Sequence, residues 1–215
     1  MSSSSRRPRV AFQGEHGAFS EDAAIKLLGP EIQLVPRPTF TALFKSLDEG
    51  LADYVLAPIE NSLIGAIQPA IDLLQKSSLA VEDEVVIRIQ QHLIGCPGAV
   101  FEEIEAVESH PAALAQCQRF FAENTRIKRI ETEDTAGSVA RIIEQADRKS
   151  AAIASRRAAE LYGGSIIRSN LEDDPENYTR FALLSNQSKS SLRVESAASV
   201  ADQNDKEFKR LVSEV

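Results

Sequence analysis

The chain has 215 residues, 43% of them hydrophobic and 26% charged, which is enough apolar material for one packed domain or a pair of small lobes and excludes disorder throughout. Its 24 basic and 32 acidic residues leave a net charge of −8, with no Lys/Arg cluster beyond Arg6, Arg7 and Arg9, so nucleic acid is not expected as a partner. No stretch approaches the roughly 18 uncharged apolar residues of a membrane span, and no apolar run follows the Ser- and Arg-rich start, so no membrane partner is expected and the chain reads as soluble and not exported. Cys96 and Cys117, in apolar surroundings, read as buried free thiols in a cytoplasmic protein.

Short β-branched or apolar runs recur in chain order with helical patterns between them, the sequence sign of βα units and mainly parallel sheets. The expected strands are Val10–Gln13, Gln33–Val35, Ala52–Ile59, Val85–Gly95, Ile104–Glu108, Arg126–Glu131, Ala151–Ala154, Ile166–Ser169 and Arg180–Leu184. Helices are expected over Ser62–Gln75, where Leu63, Ile67, Ile71 and Leu74 follow helical spacing, and around Ala136, Val139, Ala140 and Ile143. The run Glu84–Gly95 is long for one strand and suits a crossing between lobes. Residues 1–90 with 172–185 are therefore expected as one α/β lobe and 91–171 as a second. Beyond Leu184 the composition turns to Ser, Gln and Lys, and 186–215 reads as a loosely held tail.

Strand-to-helix junctions carry the functional signal. Gly14–Ser20, Glu60-Asn61-Ser62, Ser109-His110-Pro111, Asp134-Thr135 and Ser155 each end in capping chemistry, which satisfies the free N–H groups of a helix start. In a parallel sheet such junctions collect at the carboxyl ends of the strands, where helix N-termini favour a small anion. Other chemistries fit poorly. Gly14–Gly17 lacks the lysine of a P-loop and the third glycine of a dinucleotide fingerprint, so no nucleotide cofactor is expected. His16, His92 and His110 stand singly without ligand spacing and read as capping or packing residues, so no metal is expected. The acidic turn Glu172-Asp173-Asp174 lacks the pattern of a calcium loop and reads as structural.

Taken together, Val10-Ala11-Phe12-Gln13-Gly14 with Gly17-Ala18-Phe19-Ser20, then Pro58-Ile59-Glu60-Asn61-Ser62, Ser109-His110-Pro111 with Gln116-Cys117, Asp134-Thr135-Ala136-Gly137-Ser138, Ala152-Ile153-Ala154-Ser155 and Asn177-Tyr178-Thr179-Arg180-Phe181 resemble the catalytic domain of prephenate dehydratase. The resemblance runs from about residue 9 to 185 with every motif in order. It implies an α/β fold of two lobes, like type II periplasmic binding proteins, with the active site in the cleft between them. Members of that family usually carry a phenylalanine-binding ACT domain after the catalytic part; here only residues 186–215 follow, so the resemblance is to the catalytic domain without its sensor. A homodimer is common in the family.

The implied reaction converts prephenate to phenylpyruvate with loss of CO2 and water, in phenylalanine biosynthesis, and needs no cofactor because no electrons change hands. Hydroxide is a poor leaving group, so the enzyme must supply a proton or a strong hydrogen bond to it. By resemblance Thr179 is the candidate, with Asn61 and Gln116 also placed in catalysis. Glu60, Ser62, Ser109 and Thr135 are placed in substrate binding or orientation, although each also reads as a capping residue. Arg180 would suit the pyruvyl carboxylate, but adjacent strand residues face opposite sides, so it joins Thr179 only where the strand ends or bulges, and Phe181 would share Thr179's side. Gln116 lies seven residues after Ser109, two helical turns on, which would put both on a similar face. The alternatives are arogenate dehydratase, the same elimination on the amino analogue, and a non-catalytic two-lobed binding module.

Overall fold

The computed structural model describes residues 6–186 and Phe208; the expected tail over 186–215 lies outside the described residues apart from Asn186 and Phe208. In chain order the elements are β1 (Arg9–Gln13), α1 (Phe19–Leu28), β2 (Gln33–Arg37), α2 (Phe40–Asp48), β3 (Tyr54–Asn61), β4 (Gly65–Ala66), α3 (Gln68–Lys76) and β5 (Leu79–Arg88). Then come β6 (His92–Gly95), β7 (Ala106–Ser109), α4 (Pro111–Ala115), α5 (Gln118–Glu123) and β8 (Lys128–Glu131). The last are α6 (Thr135–Gln145), β9 (Ser150–Ala154), α7 (Arg156–Tyr162), β10 (Ser165–Arg168) and β11 (Tyr178–Asn186). Two compact units result, one from 6–14, 20–87 and 178–186, the other from 15–19 and 88–177, each with its own sheet.

The first unit's sheet has the order β2-β1-β3-β11-β5, with β4 paired to β3. Strands β2, β1 and β3 run parallel, as the βα pattern implies, whereas the returning β11 pairs antiparallel to β3. Strand β3 sits between β1 and β11, which is why Tyr54–Ile59 reads as a continuous apolar run and is buried on both faces. Helix α2 lays Leu43, Phe44 and Leu47 on Ala11, Val55, Ala57 and Leu184. Leu56 and Leu183 are fully enclosed, and burial of each stabilises the fold by about 1.5–3 kcal/mol. Pro58 has no N–H for a ladder, and the β3–β11 register slips beside it: Arg180 pairs with Glu60 but Phe181 pairs with Pro58, leaving Ile59 as the extra residue of a bulge.

The second unit's sheet has the order β10-β6-β9-β7-β8. Strands β9, β7 and β8 are parallel, and β6 joins β9 antiparallel. One face packs Leu93, Val107 and Ile153 against Leu114, Phe120 and Phe121, and the other packs Ile94, Ala152 and Ala154 against Val139, Ile142 and Ala158. Both cysteines are buried free thiols, and burial, aided by Asp173 and Glu172, pushes Cys117 up to about 12.

Two sequence expectations are corrected. Residues 62–67 are not helical: the Asn61 Oδ1 accepts the N–H groups of Leu63 and Ile64, at 3.0 and 3.3 Å, and this local turn sends Gly65–Ala66 back to pair with β3. Helix α3 begins only at Gln68, with Pro69 in its first turn. Val85–Gly95 is not one strand, because the main chain breaks at 89–91, where Ile89 N–H donates to Asn177 O (2.7 Å) and Gln91 N–H donates to a Glu172 carboxylate oxygen (2.8 Å).

Candidate functional site

The sequence-predicted residues fall into two groups, one on each unit. On the first unit, Thr179 and Asn61 are direct cross-strand partners at the start of β11 and the end of β3. The Asn61 amide nitrogen donates to Thr179 Oγ1 and to Tyr178 O, both at 2.9 Å. An accepted bond occupies one side of the threonine oxygen, so its own hydrogen is directed elsewhere, and polarisation by the amide makes that O–H a better donor. Thr179 is 6% exposed, so little of the residue meets bulk water. Ser62 locks the same corner: its N–H donates to Tyr178 O (2.9 Å) and its Oγ accepts from Tyr178 N–H (2.8 Å).

Arg180 and Glu60 form the next cross-strand pair, and their side chains meet each other. The guanidinium donates to Glu60 Oε2 at 2.5 Å and to Glu84 Oε2 at 3.4 Å. These bonds tie β3, β11 and β5 across the sheet, and any substrate carboxylate at Arg180 would share the guanidinium with Glu60 and Glu84. The Phe208 ring lies 5.3 Å from the guanidinium carbon. Phe181, expected on the substrate side, is 2% exposed and belongs to the core.

On the second unit, β7, β8 and β9 hand over to α4, α6 and α7. Because these strands are parallel neighbours, the three helix N-termini lie along one edge of the sheet. His110, Asp134 and Ser155 cap them, accepting from Ala112, Gly137 and Ala158 N–H at 3.2, 2.5 and 3.0 Å. The remaining N–H groups of the first turns favour carboxylate oxygens there. Thr135 is the first residue of α6 and half-buried. Ser109 ends β7 fully buried, its hydroxyl donating to Ile153 O at 2.6 Å, which ties β7 to β9. Residues 15–19 are fastened to α7: Ser155 Oγ donates to Gly17 O (2.6 Å) and Tyr162 OH to His16 O (2.9 Å). Gly17 is required there, since its φ is +90° and a Cβ would stand 2.9 Å from Ala158 Cα.

Gln116 sits at the C-terminus of α4, not on a helix shared with Ser109, so the two-turn relation between them is corrected: five helical residues and a strand end separate them. Its side chain is half-buried, and its Oε1 accepts from the amide of Gln91 at 3.1 Å. Asp173 N–H donates to Gln116 O (2.7 Å), and the Asp173 carboxylate caps α5 through Gln118 and Arg119 N–H (2.7 and 2.9 Å). Gln91 and Glu84 were not singled out by sequence reasoning, and Glu172 was read only as part of a structural turn. The polar pair Gln90-Gln91 inside an apolar run was the only available signal for the first, and it marked the break between β5 and β6. Burial, with Arg156 nearby, holds His92 below its ordinary value of 6.5 against the opposing pull of Glu172. Among the described residues no group of three His, Cys, Asp or Glu side chains is placed to hold a metal ion.

The family model described as prephenate dehydratase matches residues 10–189. The chain is 40% identical over 176 residues to arogenate dehydratase/prephenate dehydratase 1 of Arabidopsis thaliana, covering 82% of this chain and 44% of that protein. It is 36% identical over 176 residues to the bifunctional chorismate mutase/prephenate dehydratase of Neisseria gonorrhoeae, covering 81% and 49%. A solved prephenate dehydratase from Arthrobacter aurescens, in complex with L-Phe, superposes with a TM-score of 0.75 at 27% identity, covering 83% of this chain and 60% of that one. The chain thus spans less than half the length of these two curated relatives. With nearly the whole described chain inside the match, the protein belongs to the prephenate dehydratase family.

Proposed function

We propose that this chain carries out the decarboxylative dehydration of prephenate to phenylpyruvate, as a carbon–oxygen lyase. The C–O bond to the ring hydroxyl and the C–C bond to the ring carboxylate both break. The electron pair left by CO2 completes the aromatic ring, and the departing hydroxide takes a proton from solvent to become water. Thr179 O–H donates to that departing oxygen as charge develops on it. Asn61 acts through Thr179 as a positioning residue, and Gln116 is a second donor to a substrate oxygen. The two buried thiols suit a reducing compartment such as the cytoplasm.

The observation that carries the reading is the 2.9 Å bond from the Asn61 amide to Thr179 Oγ1, which leaves the threonine a donor. A hydroxyl is too weak an acid to protonate a leaving group unaided, but a preorganised donor screened from water stabilises developing charge by a few kcal/mol. The second reading, elimination from arogenate, draws on the plant relative, whose name carries both activities. The test is steady-state turnover of both substrates by purified protein, with phenylpyruvate or phenylalanine as product. A larger kcat/KM for prephenate supports the first reading and a larger value for arogenate the second; binding without turnover of either would make the chain a binding module.

A further inference from the structure

We propose that Gln91 is a positioning residue that fixes which end of the Gln116 amide meets the substrate. The inference rests on the reading that Gln116 meets substrate, and it names the residue that orients it. A primary amide has one acceptor oxygen and one donor nitrogen, nearly equal in shape, and only a partner distinguishes them. Gln91 supplies that partner: its Nε2 donates to Gln116 Oε1 at 3.1 Å, so the Gln116 Nε2, with no partner among the described residues, is presented as a donor. The Gln91 main chain is held in a rigid setting. Gln91 is 2% exposed, its N–H is held by Glu172 Oε2 (2.8 Å), and its C=O accepts from Leu171 N–H (2.8 Å). Two residues on, Asp173 N–H holds the main chain of Gln116, so residues 171–173 grip both glutamines from one segment. Gln91 Oε1 is buried without a partner among the described residues, so the bond to Gln116 is the one side-chain hydrogen bond that orients this amide there.

The orientation predicts a reversal. Gln91→Met removes the donor and leaves Gln116 free to turn, whereas Gln91→Glu puts an acceptor against it, so the Gln116 nitrogen turns inward and its oxygen faces the substrate. Prephenate kinetics on folded protein should show kcat/KM down about tenfold for Gln91→Met and about thirtyfold for Gln91→Glu at pH 8. The Gln91→Glu variant alone should recover as pH falls, because a protonated carboxyl donates to Gln116 again. Burial and the neighbouring Glu172 raise the pKa of the introduced carboxyl, while His92, beside it in sequence, and Asp173, at the Gln116 main chain, are present in both forms. Adding Gln116→Leu to Gln91→Met should cost little more than either alone.

The side-chain amide resonances of 15N-labelled protein read the pair independently of turnover. The Gln91 Nε2 protons should exchange slowly, and the Gln116 amide should shift in Gln91→Met. Wild-type kcat/KM in both variants, fully additive losses, or fast-exchanging Gln91 protons would overturn the inference. Inactivity of the wild type toward prephenate and arogenate would instead overturn the dehydratase reading, with the resonances still deciding the pair.

Discussion

The two units hold their candidate groups by different physical means. In the first, Thr179 is set by strand register, at the first rung of a ladder that runs on through Leu184, and its partner Asn61 is the residue directly opposite. In the second, Gln116 stands at the end of a five-residue helix and is set by the Gln91 amide and the Asp173 N–H, both on segments far from it in sequence. A ladder shares its load over many backbone bonds, so single side-chain changes leave the register intact. A group held by individual polar side chains loses its position with any one of them. Thr179 should therefore tolerate changes in its surroundings that Gln116 does not, with Asn61 the exception.

Beyond the threonine hydroxyl itself, the comparison is broken most strongly at Asn61. Asn61→Asp keeps an oxygen for the Leu63 and Ile64 N–H groups but cannot donate to Thr179, so kcat should fall about 10²- to 10³-fold, or ~2.7–4 kcal/mol, with a melting temperature lowered by the lost bond to Tyr178 O. Asn61→Leu should match that kinetic loss and melt several degrees lower. Equal, small kinetic effects in both would remove Asn61 from the chemistry. The next effect is on stability. Arg180→Met removes the cation between Glu60 and Glu84, both partly buried, and should cost about 1–3 kcal/mol in urea unfolding with kcat within about threefold of wild type. A hundredfold kinetic loss at unchanged stability would make the guanidinium a substrate ligand after all.

The smallest effect separates the units by pH. His92 is held below 6.5 in the second unit, so below that pH the unfolded chain binds a proton that the folded one does not, and stability falls as pH drops. In the first unit the hydrogen bond from Arg9 holds Asp53 below its ordinary value of 3.8, so its contribution is complete above that value and lost only as pH falls beneath it. Amide exchange between pH 7 and 4 should therefore show the second unit opening first, and His92→Gln should flatten that slope. Simultaneous weakening of both units would contradict the assignment.

Legibility in the sequence follows the same division. Strands such as Val10–Gln13 and Ala151–Ala154 were readable because a continuous apolar run between turn residues has few other solutions in a packed sheet. The bulge beside Pro58 was not foreseen: Pro58 has no N–H to donate to a ladder, but Ala52–Ile59 was read as an ordinary strand. The turn at 62–66 was not readable from apolar spacing, because the Asn61 side chain competes for backbone N–H groups that a helix would use. The Arg180–Glu84 ion pair was not readable, because the two residues lie 96 positions apart and no local pattern marks the pair. The Gln91–Gln116 contact was hidden for the same reason, since it depends on the segment 171–173 returning beside both.

The most direct measurement is kcat at saturating prephenate for Thr179→Ser and Thr179→Ala side by side. If a hydroxyl at this rung assists departure of the ring oxygen, the serine variant should stay within about tenfold of wild type while the alanine variant falls about 10²- to 10⁴-fold, or ~2.7–5.5 kcal/mol. Near-wild-type turnover in Thr179→Ala, or an equal fall in both variants, would contradict it.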